Sequence, residues 1–496
     1  MQSVYSQKQT LTKKDQIMIL DNNSNTAQTS CEQNPEDPVS SHMLAYLKKL
    51  KTEKLFDEFV TDPRNGKCKY TLSSLLSTAL FNVQCLSESK NSFQTQAHET
   101  PKIKEKISRF IGRSDGTLPV TKTVDDVLEE LDFEEFNNVL MQLFEGIRLS
   151  KLFFEHDELI PGGEYHVAFD GEKIHTYSPD SDHDCEFCPY CLKRKRGDTA
   201  WYCHMIIVAS IVCPGGFKLP IYVHPIRARA IREKESSSDE IHKQECELSA
   251  LKAIIPTLRE RFPKLKMCAL LDSLYANGPT IDLLESNRFS YAIVRKKGSM
   301  SSVGRDCDGL LKLSDYENSH TIRRNSTDPN GAKVHRKATY FNKIDYQERK
   351  INLLRFHEVV ITPNGKERAV YWEWIVSWKI TQKNGLCSAE RGRLRWHEED
   401  LFNTVENRGY AIEHDYSRNG RAQMVWVLLI MLALFINECF THTRNMTKRR
   451  GKISVKNFLK NIFSELRYLS FELIFTASIL HKRTQFRYCF DTGPPL

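Results

Sequence analysis

Residues Lys266–Pro279 read KMCALLDSLYANGP. Met267 to Leu271 form an unbroken apolar or small run, the length of a buried strand, and the run ends on Asp272. Ser273, Asn277, Gly278 and Pro279 are turn formers, and GPTIDLLESN has the spacing of a short helix. A buried strand followed by a turn and a helix is a building block of an α/β sheet. A carboxylate at the end of such a strand lies at the rim where open α/β sheets bind ligands. The simpler role for the same residue is to cap the turn that follows.

The neighbouring segments extend the pattern. DEIHKQECELSALKAIIPTLRERF upstream is an amphipathic helix, and YAIVRK downstream is another strand. CHMIIVASIVCPGGFKLPIYVHPI reads as two strands around a CPGG turn, and EYHVAFDGEKIHTYS as a strand, a turn and a strand. Strands first, then helix and strand in alternation, predict a mixed α/β sheet with flanking helices over 161–297. Residues 298–384 are charged and carry the strand-like runs ATYFNKI, RFHEVVI and YWEWIVSWKI, which predict a β-rich insertion. Helical texture returns over 385–440, where RGRLRWHEEDLFNTVENRGY reads as a helix stopped by Gly409.

Residues 43–160 place apolar residues three and four apart, as in TVDDVLEELDFEEFNNVLMQLFEGIRLSKLF, and predict a helical domain. It is either a bundle with solvated charged faces or a DNA-end-binding domain. Residues 1–42 are polar and predicted disordered, and 441–496 form a C-terminal tail with no readable signal. MVWVLLIMLALFINECF, Met424–Phe440, is short for a bilayer and has no partner span, so it reads as a core helix.

The chain has 496 residues, 40% hydrophobic and 27% charged, enough for two or three domains with real cores. A formal charge of +8 is compatible with nucleic acid without demanding it. Fourteen cysteines, with no apolar leader in MQSVYSQKQTLTKKDQ, lead us to expect a reducing cytoplasm with thiols free or on metal.

A second apolar run, HVAFDGEKI, also ends on an aspartate, Asp170. Two such carboxylates on adjacent strands would repel, and a hard divalent cation would relieve the repulsion. A third acid lies in RLRWHEEDLF, where Arg395 and Glu399 are four apart on one helix face. Glu399 would complete the site, with Arg395 orienting it or touching phosphate. Glu398 and Glu413 are the alternatives.

A separate cluster, HDCEFCPYCLKRKRGDTAWYCH, holds His183, Cys185, Cys188, Cys191, Cys203 and His204 within 22 residues. Cys188 and Cys191 form a C-x-x-C pair, as do Cys185 and Cys188, so spacing alone leaves the choice of four open. The set we assign to structural zinc is Cys185, Cys188, Cys191 and His204. Trp372, Trp374 and Trp378 have the even spacing of one strand face, which either packs on a core or stacks on an unpaired base.

With VAFDGEKIHTYS, LLDSLYANGPTIDLL, KQECELSALK and RLRWHEEDLFNTVENRGYAIEHDYSRN in view, the chain resembles the DDE transposases of bacterial insertion sequences, in the branch with a β-strand insertion before the final Glu. The likeness covers about residues 45–440. It implies an RNase H-like catalytic fold, with the first Asp on the first strand, the second on the fourth and the Glu on a later helix. Carried over residue by residue, these are Asp170, Asp272 and Glu399. The family's spacing of Arg, three residues, then Glu selects Arg395 and Glu399 over Glu398.

The resemblance implies two Mg²⁺ ions on the three acids, cleavage and strand transfer of double-stranded DNA at terminal repeats and target, and a homodimer on that DNA. It also implies a bacterial, nucleoid-associated cytoplasmic location, with no membrane. Close relatives carry a similar Cys/His loop after the first Asp. Two positions depart: Gly392 stands where relatives have Tyr, and Glu406 where they have Lys, the groups associated with gripping phosphates of the cut end. A nuclease on the same fold and a non-catalytic DNA-binding relative are the alternative functions.

Overall fold

Thirteen residues, Tyr165–Tyr177, form a single strand, β1, and the sheet is built outward from it on both edges. The computed structural model describes residues 38–227, 239–468 and 486–490, apart from 88, 112, 114, 179, 182, 184, 186–187, 197–198 and 314. The expected turn at Gly171 does not form. Gly171 stays in the strand opposite Ile207, because the pairing with β3 (Thr199–Val212) runs past it and slips only between Lys173 and His175.

On its other edge β1 pairs in parallel with β5 (Met267–Leu271), which pairs in parallel with β6 (Ser290–Val294). Parallel neighbours need crossovers. The helices Asp239–Arg261 and Gly278–Ser286 lie in those connections. The outer edge of β3 is shared by β2 (Leu192–Arg196) and β4 (Lys218–Pro225), both antiparallel to it.

The insertion is strand-rich as expected, and it is continuous with this sheet. Its strands are β7 (Thr321–Thr327), β8 (Lys333–Tyr346), β9 (Arg349–Ile361) and β10 (Glu367–Val376). They form an antiparallel meander, and β10 pairs with β6, Ile375 opposite Ile293. The result is a ten-stranded mixed sheet.

Side chains alternate across it. Val167, Phe169 and Ala269 face one apolar cluster, while Ala168, Cys268 and Leu270 face another that includes Trp374, Ala389 and Leu394. By the same alternation Asp170 and Asp272 project toward the second face and Gly171 toward the first.

The first cluster also contains the helices. Gly420–Thr441 is apolar on all sides and packs against the helices Leu72–Gln84 and Phe133–Leu149 and against β4. It is long and apolar enough to cross a membrane, yet 94% of its most apolar window is buried inside the protein. A helix hydrophobic all round needs neighbours on every side, so the helical region expected as a domain over 43–160 shares its core with the sheet. Val39–Leu496 form one unit.

Three expectations are corrected at the boundaries. The first described helix, Val39–Leu50, starts inside the expected disordered tail, with Ser40, Ser41 and His42 buried. The rest of 1–42 lies outside the described residues. The segment beyond 440 contains the helices Arg444–Arg450 and Val455–Tyr468, and Tyr488 closes on the first helix with its hydroxyl 3.0 Å from that of Tyr46. The helix expected around Arg395 is two, Gly385–Arg393 and Trp396–Asn407. They are joined by a tight turn in which His397 and Glu398 donate to the carbonyls three residues back. Gly409 ends the second helix at φ +102°.

Asn137 ties the helical layer to β4. Its side chain donates to the Val223 carbonyl and accepts from the Val223 amide, both at 2.9 Å and buried. Asn137→Ala strands two backbone groups and is expected to cost roughly 1–3 kcal/mol. The measurement is a denaturant titration, in which the midpoint falls at unchanged slope.

Candidate active site and metal centre

Asp170 ends the buried half of β1, and Asp272 follows the last residue of β5, the strand beside it. Each aspartate also performs its local task. Asp272 Oδ1 accepts from the Leu274 amide at 2.9 Å and caps a turn, and Asp170 Oδ1 accepts from the Gly171 amide at 3.0 Å. Each keeps a second oxygen beyond these bonds.

The third acid arrives from the helix Trp396–Asn407. Arg395 donates to Glu399 in an i,i+4 ion pair, and its other terminal nitrogen lies 3.3 Å from Asp170 Oδ2. One guanidinium therefore holds together two carboxylates on distant stretches of chain, Arg395 lying 225 residues from Asp170. Burial raises the pKa of Asp170. Arg395 opposes that shift, and the charges of Asp272 and Glu399 add to it. The charges of Asp272 and Glu399 thus both reach Asp170.

The alternatives to Glu399 are placed differently, although the charges of Asp170 and Arg395 still reach Glu398. Glu398 is fully buried, accepts from Ser210 Oγ at 3.0 Å, and is pushed well above the usual carboxylate range by that burial. Glu413 lies beside Glu406, whose pKa is raised first by burial and then by Glu413.

The segment bearing Arg395 is seated on tryptophans of the insertion. Arg391 lies 3.9 Å from the centre of the Trp378 ring, Arg393 5.1 Å from Trp372 and Arg395 5.5 Å from Trp396. Trp372 and Trp396 are 5.0 Å apart. Arg391 is further held by Glu164 and by His166 Nε2 at 2.9 Å. Burial, then the charge of Arg391, lowers the pKa of His166 to about 3, which keeps it a neutral acceptor.

Trp378 lies beyond the end of β10, so the even spacing does not describe one strand face to its end. Trp374 is fully buried, the packing role among the two expected. Its ring also accounts for Gly392: a Cβ there would stand 2.7 Å from Trp374 Cε2. A tyrosine has no room at that position. The Arg395–Glu399 pair was legible in sequence, but the partners of Arg391 (Glu164, His166, Trp378) and the Asp170 partner of Arg395 come from segments too distant to foresee.

The Cys/His cluster is real and differs by one ligand from expectation. His183, Cys188, Cys191 and His204 are all buried, with their ligand atoms within 4.8 Å of one another. Cys191 Sγ is 3.3 Å from His183 Nε2 and 3.2 Å from His204 Nε2, and Cys188 Sγ is 3.4 Å from His204 Nε2. Tetrahedral zinc with ordinary Zn–S and Zn–N bonds sets its S and N ligands about 3.6 Å apart, so these four can hold zinc.

His183 takes the place assigned to Cys185. Its ring stacks on Tyr177 at 4.0 Å, and its Nδ1 donates to the Arg418 carbonyl at 2.7 Å, leaving Nε2 for a metal. Cys185 is buried next to the four. The contact between Cys188 and Cys191 makes them one pair, in which hydrogen bonding from Cys191 and then from the two imidazoles pulls the Cys188 thiol down while the same contact pushes Cys191 up. The chain matches no protein-family model and no curated protein.

Two outcomes follow from this chemistry. The purified protein is expected to carry one zinc per chain by metal analysis. Cys188→Ser or His183→Ala should lose that zinc and lower the melting temperature, whereas Cys185→Ser should keep it. The second concerns pH. The raised pKa of Asp170 means that its charged form is disfavoured in the native state. Asp170→Asn should therefore stabilise the metal-free protein at neutral pH. The gain should vanish as pH falls below about 3.9, where the unfolded carboxyl is also protonated. Unfolding curves of both proteins across that range measure the difference.

Proposed function

We propose that the protein is a DDE-type transposase that cuts and joins DNA by metal-dependent phosphoryl transfer, on an RNase H-like fold. The observation that carries the reading is the Arg395 bridge between Asp170 and Glu399, with Asp272 on the adjacent strand. The topology supports it as well. Leaving aside the short β2, the strands β1, β3, β4 and β5 put Asp170 on the first and Asp272 at the end of the fourth, with Glu399 on a later helix.

The donor set fits hard cations. Three carboxylates on neighbouring strands and a nearby helix, two of them bridged by one arginine, are a place where divalent charge is welcome. Asp170, Asp272 and Glu399 would hold two Mg²⁺ ions, which when bound activate a water or a 3′-hydroxyl and neutralise the leaving oxygen. Arg395 orients Glu399 and offers guanidinium donors to a phosphate oxygen. The tryptophan seat fixes that arginine in place before DNA arrives, so its positioning requires no rearrangement at the moment of reaction. Under this reading the partner is double-stranded DNA, terminal repeats and target. A homodimer would pair the two ends in the bacterial cytoplasm, and the His183/Cys188/Cys191/His204 zinc would be structural.

A second reading, a DNA-binding relative without catalysis, draws on Gly392 and Glu406. Trp374 fills the space a phosphate-gripping tyrosine would need, and Glu406 places negative charge where relatives have positive.

The deciding assay incubates the protein and Mg²⁺ with DNA ending in the inverted repeats that flank its gene, pre-cut at one end. Joined product is expected. Asp170→Asn and Glu399→Gln should each lower it roughly 10³-fold or more, matching the several kcal/mol a bound metal contributes to the transition state. Cleavage without joining would make the protein a nuclease. DNA binding with neither activity would make it the non-catalytic relative.

A further inference from the structure

The helix Asp239–Arg261 carries a buried acid to the back of the strand that bears Asp170. Glu247 is 6% exposed. Its carboxylate rests directly on β1 at the residue after Asp170: a Cβ on Gly171 would stand 3.1 Å from Glu247 Oε1 and 3.2 Å from its Cδ. Any side chain at 171 would push that carboxylate away. The bare backbone there is what allows an acid on one face of the sheet to approach the catalytic end of β1, whose Asp170 projects from the other face.

A second group points to the same place. Tyr275 ends the turn that Asp272 caps. It is 1% exposed, and its hydroxyl has no hydrogen-bond partner. A buried hydroxyl left unpaired is costly. Burial first, then the charges of Glu247, Asp272 and Asp170, hold its pKa well above the usual phenol range. The unpaired hydroxyl therefore lies in the shared field of two acids of the proposed site and one acid outside it.

We infer that Glu247 is a positioning residue of the cation site that adds its charge through the gap at Gly171, with the unpaired Tyr275 hydroxyl buried between the strand ends as a polar group open to the site. The inference rests on the reading that Asp170 and Asp272 hold a divalent cation. Glu247 is not assigned as a ligand. It increases the negative potential at the end of β1, and Tyr275 has a donor ready for an oxygen brought in with the ion.

The test is Mn²⁺ binding to the zinc-loaded full chain without DNA, followed by electron paramagnetic resonance, with melting temperature recorded for each variant. Asp170→Asn should abolish the binding. Glu247→Gln, which removes the charge and keeps the shape, should weaken it about tenfold or more, the range for outer groups of a metal site. Tyr275→Phe should weaken it in the same direction.

Mn²⁺ affinity unchanged in Glu247→Gln, whether or not the melting temperature falls, overturns the inference while the loss in Asp170→Asn leaves the site reading standing. Mn²⁺ binding unchanged in Asp170→Asn overturns both. Should Glu247→Gln fail to fold, Tyr275→Phe decides alone: full Mn²⁺ affinity in that variant counts against the inference.

Discussion

A single guanidinium holds two carboxylates that the chain order separates widely. Arg395 lies 225 residues beyond Asp170 and pairs with it and with Glu399 at once. Like charges gathered at the rim of a sheet drive each other apart unless a positive group lies between them. Arg395 supplies that charge from a buried position, 8% exposed, so that its pair with the less exposed Asp170 is screened less by water than its pair with the half-exposed Glu399. The arrangement of the strand ends, the turn before the helix Trp396–Asn407 and the stacking of the insertion all serve to keep this group in place.

The insertion thereby has a mechanical role. By pairing β10 with β6 it becomes part of the central sheet. Its tryptophans then form a surface on which Arg391 and Arg393 rest, and Trp372 packs on Trp396, the ring beside Arg395. Planar guanidinium on an indole face combines dispersion with attraction to the ring's electrons. Seating the segment this way fixes Arg395 by packing as well as by charge. Gly392 belongs to the same seat, because the backbone must approach Trp374 too closely for any side chain.

The Cys/His cluster performs a comparable task on the other side of β1. His204 is carried by β3 and His183 by the loop after β1, and the His183 ring bonds to the Arg418 carbonyl just ahead of the buried helix Gly420–Thr441. Gly420 itself lies against Cys188, with room for no Cβ: one would stand 2.4 Å from the sulfur. A metal on these four residues would clasp the far end of β1 to the start of the helix Gly420–Thr441. The clasp and the Arg395 bridge hold β1 at two points along its length.

Local pattern was sufficient for the strands around Asp170 and Asp272, the β-rich character of 298–384, the core role of Met424–Phe440 and the four-residue pairing of Arg395 with Glu399. Each depends on periodicity or spacing within a few residues, which sequence records directly. The expected turn at Gly171 failed because pairing with β3 outweighed a glycine's local preference. The separate helical domain failed because the helix Gly420–Thr441 is apolar on all faces and draws distant helices onto it. His183 displaced Cys185 because ring stacking and a carbonyl partner orient it, and neither leaves a mark on ligand spacing. Sequence by itself determined which acids end strands and which residues can bind metal. Only the tertiary structure decided which of them meet, since burial, like-charge repulsion and ring packing act across distances in space that chain order does not encode.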